Sequence, residues 1–201
     1  MDSTLTIAKD DPLAVVTLSS ALEAAVADMH ASDRPVVFTC IGTDRSTGDA
    51  LGPLVGQRLR RLGCPAEAVI GTLEEPLHAL NLRECTAPLA DMAPRPFVVA
   101  VDAALGSMSQ VGTITVRGGG LRPGQGVGKD LPAVGDMSIT ATVNVSAGGL
   151  DAQILQSTRL FMVQELAETI GTACWWAIRS LERRREQHVT RVDDLRSVRA
   201  A

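Results

Sequence analysis

The chain has 201 residues, with 19 Lys and Arg against 23 Asp and Glu, a formal net charge of −4, and three Phe, two Trp and no Tyr. That length suits one ordinary domain with a single core. The mildly acidic balance and the scarcity of rings argue against a nucleic-acid partner, which would need a cationic track or stacking platforms. No apolar run approaches the ~20 residues that span a bilayer, the N-terminus MDSTLTIAKDDP lacks a cationic-then-apolar leader pattern, and Cys40, Cys64, Cys85 and Cys174 show no C-x-x-C spacing. A soluble, cytoplasmic, single-domain protein without membrane partners is expected.

Helix formers from Ala14 to Met29 predict a helix that Pro35 bars from continuing. The β-branched run Val36–Ile41 reads as a buried strand. A polar loop, Gly42–Asp49, leads into Ala50–Leu62, where Leu51, Leu54, Val55, Leu59 and Leu62 share a helical face before Gly63-Cys64-Pro65 closes it. Ala68–Gly71 predicts a second strand, and Leu77–Cys85 a short helix. Phe97–Val101 (FVVAV) is the clearest buried strand, followed by strands at Thr113–Val116 and Ile139–Val145. Between those two, Gly118–Pro132 holds six Gly and two Pro and reads as a long loop, a candidate lid or substrate channel. Leu150–Ile170 is patterned as a helix, serving the core or a homodimer seam. Residues 179–201 carry seven Arg against four acids, so a tail of +3 follows a body of −7.

Strand–helix alternation with continuous apolar strands predicts an α/β fold, a three-layer sandwich around a largely parallel sheet. The expected organisation is an N-terminal helical segment (1–34), an α/β domain (35–173) and a charged extension (174–201), helical or disordered.

The segment CIGTDRSTGDALGP at 40–53 lies where open α/β sheets collect ligands. Its glycines lack the spacing of a dinucleotide fingerprint, and Asp49 stands where a phosphate loop needs Lys. Asp49 is therefore either a helix cap or a working carboxylate. Asp102 follows FVVAV, and if the two strands are neighbours both acids meet over one sheet edge. Paired carboxylates in one cleft split their pKa values and can activate a water between them; the same pair could instead hold a divalent cation. Thr43, Asp44, Glu74, Glu75 and Asp136 are assigned to a substrate-binding rim, with Asp136 alternatively a turn residue and His78 structural.

The stretches FTCIGTDRSTGDALGPLVG, GTLEEPLHALNL, VDAALG, VGTITVRGGGLRPGQGVGKDLPAVGDMSITATVNV and LQSTRLFMVQELAETI together resemble the YyaC family of sporulation proteins over residues 35–172. That family is similar to the spore germination protease and, more distantly, to endopeptidases that mature nickel-iron hydrogenases. The resemblance implies an α/β peptidase fold acting on a peptide or protein in the sporulating cell or forespore. It makes Asp49, in Thr47–Pro53, and Asp102, in Asp102-Ala103-Ala104, the catalytic acids. In the hydrogenase-maturing enzymes two such acids and a His bind a metal; that His would fall near Gly135–Ser138, where this chain has none. The reading is thus a two-carboxylate peptidase with no cofactor expected. The alternative is an inactive peptide- or protein-binding member of the same fold.

Overall fold

A computed structural model describes residues 4–28, 34–123 and 133–200, with side chains through 187. The two apolar strands β2 (Val36–Cys40) and β4 (Phe97–Gly106) pair in parallel from Val36↔Phe97 to Cys40↔Val101. On the outer side of β2, the two-residue β3 (Val69–Ile70) pairs in parallel; on the other side of β4 lies β6 (Met137–Val145), also parallel. Beyond β6, β5 (Thr113–Gly118) and the edge strand β1 (Leu5–Ala8) run antiparallel. The order is β1-β5-β6-β4-β2-β3. Its central pairings are parallel, as short apolar runs buried on both faces require.

One sheet face carries α1 (Ala14–Asp28), α2 (Leu51–Arg61) and α6 (Leu160–Ala200). These bury Leu18, Leu22, Leu51, Leu59, Leu166 and Ile170 against Phe38, Phe97, Val99, Ile114 and Ile139. The opposite face is covered over β2 and β4 by the short helices α3 (Leu82–Thr86) and α4 (Pro88–Asp91) and by Leu77. Val37, Ile41, Val98, Ala100, Leu82, Leu89 and Val134 make up this smaller core. The fold is a three-layer α/β sandwich.

Several elements differ from the sequence reading for local reasons. β1 was absent from it, although Leu5 and Ile7 alternate with Thr6 as a half-buried strand should. The expected helix from Leu77 shrinks to Leu82–Thr86 because Leu77 bridges Ile41, while the Asn81 amide donates to the Pro76 carbonyl and its oxygen accepts from the His78 N–H. The expected helix 150–170 is two helices, α5 (Asp151–Gln156) and α6. The Ser157 and Thr158 hydroxyls donate back to the carbonyls of Gln153 and Ile154 and end the first.

α6 passes unbroken through residues 173 and 174, with Ala173, Cys174, Ala177 and Ile178 all in the core, so the division drawn there falls inside one packed helix. Ser180 and Arg184 then reach Glu23 on α1, and the Arg185 guanidinium donates to the Arg34 carbonyl. The segment before residue 35 likewise contributes a strand as well as a helix. No helix among the described residues is long and apolar enough to cross a membrane.

Candidate active site

β2 gives out at Cys40, but β4 continues to Gly106 beside β6, with a bulge between Ala104 and Leu105. Asp102 therefore sits within a strand rather than after one, at the first position where β4 outruns β2. The space over the end of β2 is filled by the loop 42–50. Gly42 makes this loop's turn with φ +145°, the Thr43 N–H donates to the Asp49 carbonyl (3.1 Å), and Gly48–Ala50 forms a single 3-10 turn before α2. A Cβ on Gly42 would overlap the carbonyl oxygen of Asp49, so this close approach requires glycine. The turn packs on β4 and on α5. Asp49 and Asp102 thus meet at the carboxyl edge of adjacent strands.

The two acids differ in environment. Asp102 is buried, with 9% of its surface exposed, whereas Asp49 is half-buried. Burial pushes the Asp102 carboxyl well above the usual carboxylate range; the negative charge of Asp49 pushes it further, and the Ala103 N–H bonded to Oδ1 (2.8 Å) opposes both. Asp102 is accordingly biased to hold a proton beside the Asp49 carboxylate. Such an arrangement can donate a proton to one atom and accept one from another.

The surroundings are small and polar. Asp102, Thr140, Thr115 and Thr6 lie in one row across β4, β6, β5 and β1. Asp151, at the start of α5, is buried and accepts from the Ala147 N–H (2.7 Å) and the Ser146 hydroxyl, pinning the turn that follows β6. Sequence reasoning missed this brace; its only trace is an acid placed directly after Gly148-Gly149-Leu150, at a helix start.

A family profile described as "Protein of unknown function (DUF1256)" matches residues 6–173. The chain belongs to this family. It is 46% identical over 141 residues to the "Uncharacterized protein YyaC" of Bacillus subtilis (strain 168), covering 70% of this chain and 68% of that one. Among solved structures, it is similar to a [NiFe] hydrogenase maturation protease, HycI, from Thermococcus kodakarensis KOD1, with a TM-score of 0.51 and 18% identity over 79% of this chain and 99% of that one. At that identity the likeness shows the fold, which is that of a hydrogenase-maturation protease.

Within this family member, the residues assigned to the rim separate. Thr43 and Asp44 belong to the loop carrying Asp49, Thr43 half-buried and Asp44 exposed. Glu74 and Glu75 are exposed in a turn after β3, closed by the Thr72 N–H on the Glu75 carbonyl and the Glu75 N–H on the Thr72 hydroxyl. They share the carboxyl edge but stand beyond β2. Asp136 does not belong to the rim. It immediately precedes β6 at the amino edge of the sheet, where Oδ2 accepts from the Val98 N–H (2.9 Å) and from Arg34 (3.0 Å). It ties the chain entering β2 to the start of β4, which is the work of a structural turn residue. Asp136→Ala is expected to lower stability by about 2–4 kcal/mol, because it strands the buried Val98 N–H and takes the carboxylate partner from the half-buried Arg34, which keeps only its bonds to the Arg95 and Pro96 carbonyls. Thermal denaturation reads this loss, and any activity measured at a temperature where the variant is folded should be unchanged.

The described flanks of the glycine-rich loop, joined by a Leu121↔Val134 bridge, also lie at the amino end of β6. Residues 124–132, the C-terminal part of the loop read from the sequence as a candidate lid or substrate channel or an ordinary surface loop, lie outside the described residues. Among the described residues no three His, Cys, Asp or Glu side chains converge as a metal-ligand set would. The donors at the site are Asp49 and Asp102, and the acid of segment 135–138 faces Arg34. This set does not fit the two-acid-plus-His metal centre that likeness to the hydrogenase-maturing enzymes would imply.

Proposed function

We propose that this protein is a peptidase whose two carboxylates, Asp49 and Asp102, activate water for hydrolysis of a peptide bond. The observation that carries the reading is the unequal pair: an acid driven toward its protonated form by its burial and then further by the charge of a second carboxylate, Asp49. In this mechanism the Asp49 carboxylate removes a proton from a water as its oxygen attacks the scissile carbonyl carbon. Asp102 gives its proton to the carbonyl oxygen. Collapse of the tetrahedral intermediate returns that proton to the Asp102 carboxylate, breaks the C–N bond and sends the proton held by Asp49 to the leaving amine. The HycI-type fold and the germination-protease resemblance around Thr47–Pro53 support a peptide substrate, and the family resemblance supports a role in the sporulating cell.

The test is cleavage of a broad peptide library by the purified full chain, with chelator present throughout. Cleavage that falls at least ~10²-fold in Asp49→Asn and in Asp102→Asn is the expected result. Equal background cleavage by all three proteins would refute the reading and leave a non-catalytic peptide-binding role for the same cleft.

A further inference from the structure

A cavity of about 500 Å³ opens between β3 and α3, outside the carboxylate pair. Val69, Ile70, Pro76 and Leu77 supply apolar wall, and Glu75 stands in the lining, which contains no Lys or Arg. Of the remaining polar lining, the Asn81 amide is engaged with the backbone of Pro76 and His78, the Thr72 hydroxyl with the Glu75 N–H, and the His78 imidazole has a buried Nδ1 with no hydrogen-bond partner among the described residues. Cys85 also lines the cavity. Its thiol is pushed up by burial first, then by the carboxylates of Glu84 and Glu75, so both acids stand near it.

The sheet register fixes where this cavity stands relative to the site. Leu77 bridges Ile41, and Ile41 lies one step beyond the Cys40↔Val101 pair, level with Asp102. Leu77, Ile41 and Asp102 therefore form one row on one face. Two interstrand spacings of about 4.8 Å put the cavity wall about 10 Å from Asp102, which an extended peptide crosses in about three residues. An apolar slot with a carboxylate at its mouth suits a side chain with a long aliphatic stem and a cationic head.

We propose that the cavity between β3 and α3 is a subsite for a lysine or arginine side chain of the bound peptide, about three residues from the bond presented to Asp102. The proposal rests on the peptide-cleft reading but not on turnover, and its test uses a readout independent of cleavage. Cys40, Cys64 and Cys174 are buried while Cys85 is half-buried, so Cys85 is the natural alkylation reporter for this cavity. The full chain carrying Asp102→Asn is treated with iodoacetamide, and Cys85 modification is followed by peptide mass spectrometry. Acetylated, amidated alanine heptapeptides with one lysine, norleucine or glutamate are the added probes.

The lysine peptide is expected to slow Cys85 alkylation at least fivefold, norleucine less than twofold and glutamate not at all. Glu75→Gln should abolish the lysine effect, scored as the ratio of rates with and without peptide. Equal protection by norleucine and lysine, or no protection by any peptide, overturns the proposal. Library cleavage without protection would sink the subsite and leave the peptidase reading standing. Lysine protection in a protein whose wild type cleaves nothing would do the reverse.

Discussion

Asp102→Asn is expected to abolish peptide cleavage and, at neutral pH, to make the protein more stable. Both effects come from the same burial. The native carboxyl binds its proton more tightly than the unfolded chain, in which an aspartate titrates near a pKa of about 3.9. Between that value and the native one the folded state holds the extra proton, so raising the pH through this interval lowers stability. Asparagine carries no charge, keeps an oxygen to accept the Ala103 N–H, and does not face the Asp49 carboxylate as a like charge. The variant's advantage should therefore be absent at pH values well below the ordinary aspartate pKa, and grow as the pH rises through the interval. Each kcal/mol gained should raise Tm by about 2–4 °C for a chain of this size. Thermal melts of both proteins across pH 3–8 measure it. A wild type as stable as the variant at every pH would show that Asp102 is not held under electrostatic stress.

Gly42→Ala should cost the most at the loop. The position combines φ +145°, where a side chain is strained, with a Cβ that would overlap the Asp49 carbonyl. Relief requires the 42–50 loop to move, and Asp49 moves with it. A loss of about 2–4 kcal/mol is expected from backbone strain and displaced packing. Cleavage should fall about 10²-fold, as a displacement of about 1 Å at a catalytic group does. Gly63→Ala is the informative comparison, since Gly63 also has positive φ (+90°) but open space around it. It should lose only about 1 kcal/mol and keep its activity. Equal activity in the two variants would show that the Gly42–Asp49 approach does not position the acid.

Much of this site was legible because hydrophobicity marks the ends of buried strands. VVFTCI stops being apolar where β2 ends, with Asp49 at the far end of the loop that follows, and FVVAV stops being apolar where β4 outruns β2, with Asp102 next in the strand. What sequence could not supply was registry. Nothing in FVVAVDAALG shows that pairing with β6 persists through Gly106 after β2 has ended, yet that overhang is what sets Asp102 beyond the end of β2. Asp136 was misplaced for a related reason: an acid before a strand sits at its amino edge in a parallel sheet, opposite to an acid after one. β1 escaped notice because four residues of modest hydrophobicity become a strand only when β5 offers an edge. The break at Ser157–Thr158 was hidden because apolar periodicity resumes across it with little change of phase.

The overhang of β4 also divides the two acids by the kind of backbone that holds them. Asp102 is hydrogen-bonded into a strand that pairs with β6 from Val99 to Gly106, so its backbone opens only when that pairing does. Asp49 is carried on the loop 42–50, where the Gly42 N–H donates to the Leu77 carbonyl, the Thr43 N–H to the Asp49 carbonyl and the Ala50 N–H to the Thr47 carbonyl. Displacing that loop would separate the two carboxyls and remove part of the field that raises the Asp102 pKa. The proton affinity of the buried acid is in this sense a gauge of how closely the loop holds Asp49 against β4.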